Sequence, residues 1–142
     1  MRAMVNDSKI QSPIIETAQS LIGLTPQHNP RTEVETLFKF ARDEVRYMRD
    51  VHGVETLTEP VYVLQRLSGD CDDKATLLGA LLEAVGYPVR FVLAGYTPGL
   101  REYEHVYLQA LVDDEWITLD PSVEQPMGYE VPGAVLYWRE LI

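Results

Sequence analysis

Between Ser12 and Gly23 the apolar residues Ile14, Ile15, Ala18, Leu21 and Ile22 recur at the spacing of one helical face. Ser12 is placed to cap this helix, Pro13 to occupy its first position and Gly23 to end it. Asn29-Pro30 repeats the start signal, and Val34, Leu37, Phe38, Ala41 and Val45 predict a second helix running to about Tyr47. Residues 48–58 carry Asp, Gly and His without a period and read as a loop. Pro60 opens a shorter helix with Val61, Leu64 and Leu67 as its stripe, ended by Ser68-Gly69. The strongest helix signal follows. Asp70 is a good N-cap, Asp72 and Asp73 sit in the first turn, where carboxylates favour the dipole, and Gly86 closes the element. From Ala75 to Val85 that helix is apolar around most of its circumference, which predicts burial at the centre of the fold. After Pro88 the pattern changes. Val89–Ala94, His105–Val112 and Trp116–Leu119 are rich in branched and aromatic residues and read as strands, with turns at Thr97-Pro98-Gly99 and Asp113-Asp114. Pro121 to Pro132 reads as a surface loop, and Tyr137–Leu141 as a final short element. Helices first and antiparallel strands second give an α+β class. The expected organisation is a single domain over 1–142, with helices in 12–68, the cysteine helix in 70–86, the sheet in 88–120 and a tail from 121.

Composition narrows the function classes. A chain of 142 residues is the size of one domain. Acidic residues outnumber basic ones 22 to 12, a charge of −10 that repels phosphate backbones and anionic lipid, so neither nucleic acid nor membrane is expected as a partner. No stretch approaches the ~20 apolar residues of a membrane span, and Met1–Ile10 lacks the apolar core of a signal peptide. The single cysteine excludes an internal disulfide and fits a reducing, cytosolic setting. It also poses a question: packing or chemistry.

Structural cysteines normally sit among apolar neighbours. This one lies in Ser68-Gly69-Asp70-Cys71-Asp72-Asp73-Lys74, just after a helix cap, where free N–H groups and the dipole favour a thiolate. The flanking carboxylates oppose that effect, so a nearby imidazolium is needed to win. If Asp113-Asp114 is a hairpin tip, Val112 faces Glu115 and Tyr107 faces Asp120. His105 and Asp120 are then diagonal neighbours on one face, a spacing their side chains can bridge. Such a carboxylate fixes the imidazole tautomer and leaves the other nitrogen for a thiol. Each residue also has a plainer reading: Cys71 as a small residue at a helix start, His105 as a strand-end histidine, Asp120-Pro121 as a turn. Asp70, Asp72 and Asp73 lack the spacing and turn glycine of a calcium loop, and one cysteine with few histidines is poor for zinc, so no metal or cofactor is expected. His28 and His52 read as solvated loop residues, and Trp116 and Trp138 as core or groove-edge aromatics.

These pieces, in order, resemble the transglutaminase-like cysteine enzyme superfamily. They are Gly69-Asp70-Cys71-Asp72-Asp73-Lys74-Ala75, Gly86-Tyr87-Pro88-Val89, Glu104-His105-Val106-Tyr107-Leu108 and Glu115 to Pro121. With Pro126-Met127-Gly128 the set is similar to small members encoded by tailed bacteriophages and prophages. The resemblance implies a papain-like core, with Cys71 as nucleophile, His105 as general base and acid, and Asp120 as its orienting partner. It implies an oxyanion donor upstream of the cysteine, for which Tyr47 is the first candidate and Gln65 the second. Lys74 departs from the aromatic residue that members often carry there. The expected activity is hydrolysis of an amide or peptide bond through a thioester. The alternatives are transfer to an amine, or a non-catalytic module of a phage particle. A protein or peptide substrate, other phage structural proteins as partners, and a location in the bacterial cytoplasm or the virion complete the expectation.

Overall fold

The computed structural model describes residues 1–25, 29–49 and 57–142, so His28, His52 and most of the predicted 48–58 loop lie outside the described residues. Helices α1 (Arg2–Ser8), α2 (Ser12–Ile22) and α3 (Pro30–Lys39) come first. A π turn (Phe40–Glu44), strand β1 (Arg46–Tyr47), helix α4 (Pro60–Arg66) and strand β2 (Ser68–Gly69) follow, then helix α5 (Cys71–Ala84). Strands β3 (Val89–Gly95), β4 (His105–Val112), β5 (Glu115–Leu119) and β6 (Leu136–Leu141) complete the chain. The class is α+β, as the pattern predicts.

Helix α5 is the centre. Asp70 Oδ1 accepts from Asp73 N at 3.0 Å and Asp73 Oδ2 accepts from Asp70 N at 3.2 Å, a reciprocal cap that fixes where the helix begins. Every residue from Asp73 to Leu82 is buried, with α1, α2 and α4 against the helix on one side and β4 on the other. Leu77, Leu78, Leu81 and Leu82 join Phe38, Phe91, Leu108 and Leu119 in one core. Gly79 allows the close crossing with α1: a Cβ there would stand 3.2 Å from Val5 Cγ2.

The four-stranded sheet has the order β5-β4-β3-β6 and all its pairings are antiparallel. Val112 pairs with Glu115 and Leu108 with Leu119, the register required if Asp113-Asp114 is the tip. Both aspartates adopt positive φ, 50° and 63°, which matches a two-residue primed turn. Asp114→Gly relieves the left-handed strain and is expected to stabilise the protein by about 1 kcal/mol, read as a rise of a few degrees in Tm.

Several boundaries differ from the sequence expectation. Helix α2 begins at Ser12, with Gln11 in the cap position and no side-chain cap, and Gly23 ends it with an ordinary right-handed φ of −62°. The second helix stops at Lys39 rather than Tyr47, passes through the π turn and gives way to β1. Its start is as predicted, with Asn29 accepting from Thr32 N. Leu67, at φ 51°, terminates α4, so Ser68-Gly69 is free to form β2 beside β1. The final element starts at Leu136 and is the fourth strand of the sheet. Trp138 on it is 56% exposed, and Trp116 is half-buried under the Arg90 guanidinium, 4.2 Å from its ring centre. No helix among the described residues is long and apolar enough to cross a membrane.

Candidate active site

His105 opens β4 and Asp120 directly follows β5, so the hairpin register brings them together at its base. His105 Nε2 lies 2.7 Å from Asp120 Oδ2. The carboxylate is 2% exposed, and its other oxygen accepts from Ser122 N at 3.1 Å. With Nε2–H donating to Asp120, Nδ1 is the nitrogen left to accept a proton. The ring is steadied on one side by Tyr107, with centroids 5.8 Å apart.

Cys71 is the first residue of α5 and is half-buried. Because α5 packs on β4, the Val106 backbone N–H borders the Cys71 sulfur, which sets the thiol beside the residue that follows His105. The thiol stands 3.7 Å from Asp72 Oδ1. Burial first, then Asp72 and Asp70, push it up to about 12, while the Val106 and Asp72 N–H groups work in the other direction. The opposition of the flanking carboxylates that the sequence predicts is joined by desolvation, the larger cause, and together they outweigh the helix start. These influences favour the thiol, so chemistry at Cys71 calls for a base.

The segment entering the cysteine helix is tightly held. Tyr47 pairs with Gly69 in parallel, Met48 N donates to Gly69 O at 2.9 Å, and Arg46 N donates to Leu67 O at 2.8 Å. Gly69 is obligatory, since a Cβ there would fall 2.5 Å from Asp73 Cβ. Asp73 is almost fully buried and also accepts from Thr58 N at 2.8 Å and Arg66 Nη2 at 3.4 Å. Tyr47 is thus carried next to the start of the cysteine helix, although its side chain is 43% exposed. Gln65 is exposed on α4.

A cavity of about 460 Å³ opens beside the segment after Asp120, lined among others by Arg46, Tyr47, Lys74, Pro121, Ser122 and Glu124. The backbone N–H groups of Val106 and Ser122, and the side chain of Lys74 one turn after Cys71, also stand near the three candidate residues. Of these, only Ser122 had a readable signal, since Asp120-Pro121-Ser122 is a turn in which the aspartate accepts from the N–H two residues on. Among the described residues no group of three or more His, Cys, Asp or Glu is placed to hold a metal ion.

The fold places the chain among known proteins. It is similar to a candidate cysteine protease from Cytophaga hutchinsonii at 20% identity and a TM-score of 0.63, over 83% of this chain and 42% of the other. It is similar to a candidate protease from Parabacteroides distasonis at the same identity and TM-score, over 87% of this chain and 26% of the other. The chain thus spans less than half the length of either. Calcium-bound LapG of Legionella pneumophila is matched over 99% of this chain and 86% of its own, at 18% identity and a TM-score of 0.65. None of the curated proteins matches the chain. A profile of the Transglutaminase-like superfamily matches residues 17–121, from α2 through the hairpin to the residue after Asp120, and the chain belongs to that superfamily.

Proposed function

We propose that Cys71, His105 and Asp120 form the catalytic triad of a thiol-dependent enzyme that hydrolyses amide bonds in a protein or peptide. The observation that carries this reading is the 2.7 Å bond between His105 Nε2 and buried Asp120, made beside the helix that begins with Cys71. His105 Nδ1 takes the thiol proton as the sulfur attacks the carbonyl carbon, forming a C–S bond and an oxyanion. The Cys71 N–H, which has no acceptor within its own helix at this position, is one donor to that oxyanion, and Tyr47 or Gln65 supplies a second. The register beside Gly69 favours Tyr47. Collapse of the intermediate breaks the C–N bond, and the imidazolium protonates the departing amine, leaving a thioester. Water, deprotonated by the same imidazole, then releases the acid and restores the thiol. Hydrolysis is preferred over transfer to an amine because water needs no second binding pocket.

A second reading follows from the thiol itself. A cysteine pushed up to about 12 beside Asp70 and Asp72 suits a non-catalytic interaction module on the same fold, such as a component of a phage particle. Incubation with a peptide library, with and without a fluorescent primary amine, separates the readings. Shortened or deamidated peptides that vanish with Cys71→Ala support hydrolysis. Amine incorporation supports transfer, and no product in either arm supports the module.

A further inference from the structure

Lys74 lies one helical turn after Cys71, on the same face of α5, and is 2% exposed. An ammonium has three N–H groups to place. Among the described residues, the one acceptor within hydrogen-bond distance of Lys74 Nζ is the Arg42 carbonyl, at 3.1 Å. Burial lowers Lys74 to about 8, outweighing what Asp43 and Asp120 return. Ser122 Oγ is buried with no partner among the described residues. Arg46 is exposed, and its guanidinium meets the Met48 sulfur at 3.6 Å with no carboxylate paired to it among the described residues. All three side chains line the cavity of about 460 Å³. The remaining charges on its wall are Arg42, Asp43 and Glu124. Arg42 holds Asp43 at 2.7 and 2.8 Å and the Gln125 carbonyl at 3.1 Å, so that pair is closed. Two cations, Arg46 and Lys74, then stand against one exposed carboxylate, Glu124. The wall is locally positive in a chain whose formal charge is −10.

We propose that this cavity is a substrate subsite for a carboxylate of the peptide, an Asp or Glu side chain or the C-terminus, close to the bond cleaved at Cys71. The inference rests on the hydrolysis reading above and adds the class of substrate. A carboxylate brings acceptor oxygens only, which is what Lys74 Nζ, Arg46 and the Ser122 hydroxyl lack. A cationic ligand would leave the Lys74 N–H groups unfilled and add to the positive charge. The cavity is close to the reacting sulfur, because Cβ atoms one helical turn apart, as in Cys71 and Lys74, are separated by about 5–6 Å. An extended peptide advances about 3.3–3.6 Å per residue. The carboxylate therefore belongs to a residue within about two positions of the scissile bond.

The test passes hexapeptide pools over immobilised Cys71→Ala protein, which retains peptides without turning them over, and identifies the bound ones by mass spectrometry. One pool is C-amidated and the other ends in a free carboxylate. In the amidated pool, peptides with Asp or Glu are expected to be retained about tenfold over their Asn and Gln counterparts. A preference for the free-acid pool whatever its side chains also supports the proposal and assigns the subsite to the peptide terminus. Lys74→Met and Arg46→Glu, each added to Cys71→Ala, are expected to remove the preference. Arg139→Glu, on β6 and outside the cavity, makes the same change in net charge as Arg46→Glu and is expected to keep most of it. If Lys74→Met does not fold, Arg46→Glu at its exposed position still decides the matter. No preference for carboxylates in either pool, a preference that survives Arg46→Glu, or an equal loss in Arg139→Glu overturns the proposal. Failure of the hydrolysis reading is seen separately, as retained acidic peptides that stay whole with the unmodified protein.

Discussion

Asp120→Asn is expected to slow acylation of Cys71 by about 10²–10⁴-fold with little change in stability. The substitution keeps the shape of a buried side chain whose oxygens serve His105 Nε2 and Ser122 N. An amide turned with its oxygen toward Ser122 presents NH₂ to Nε2, which must then accept. The ring proton moves to Nδ1, and the imidazole can no longer take a proton from the thiol. With Cys71 pushed up to about 12, the residual reaction proceeds through a vanishing thiolate fraction. The acylation burst with a p-nitrophenyl ester measures the loss, and a thermal melt checks the fold. An unchanged burst would remove Asp120 from the mechanism.

Asp73→Ala is expected to have the largest effect on stability, about 3 kcal/mol. The carboxylate is almost fully buried and accepts from Thr58 N, Asp70 N and Arg66. Removing it strands two backbone donors and opens the reciprocal cap at the start of α5. Because Arg66 is half exposed, its share is small, and most of the loss comes from the backbone N–H groups. Denaturant titration of the variant reads the change directly. Asp73→Asn keeps one acceptor oxygen and is expected to lose less.

The contrast between these two aspartates shows what the sequence carried. Asp120 was legible because the hairpin obeys a strict period of two and its tip is marked by Asp113-Asp114. Once the tip is known, the register follows by counting. Asp73 was legible only as a first-turn carboxylate, since its bond to Thr58 N depends on how the segment before α4 returns to the helix. The cysteine helix could be placed because a cap, a continuous apolar circumference and a terminal glycine agreed. The π turn could not: Phe40 and Ala41 continue the apolar face of α3, and Lys74, the donor to the Arg42 carbonyl, is 32 residues further along the chain. The parallel pair β1–β2 is two residues long on each side, too short for any period. Helix α1 buries only Val5 and Ser8, so no stripe announces it. The thiol's proton affinity was legible only in part, for a related reason. Local sequence shows the helix start and the acids, while the desolvation that decides the balance comes from packing against β4.

The roles assigned to Cys71 and His105 meet in one quantity, the rate at which the single cysteine is alkylated by iodoacetamide. A thiol pushed up by burial and by Asp72 and Asp70 is almost inert at pH 7 unless a base removes its proton. If His105 is that base, the native protein is alkylated at pH 7, and His105→Ala slows labelling by about 10²-fold or more, with its rate recovering only toward alkaline pH. Equal rates for the native protein and His105→Ala across the neutral range would contradict the account and leave Cys71 as a packed residue of a non-catalytic fold.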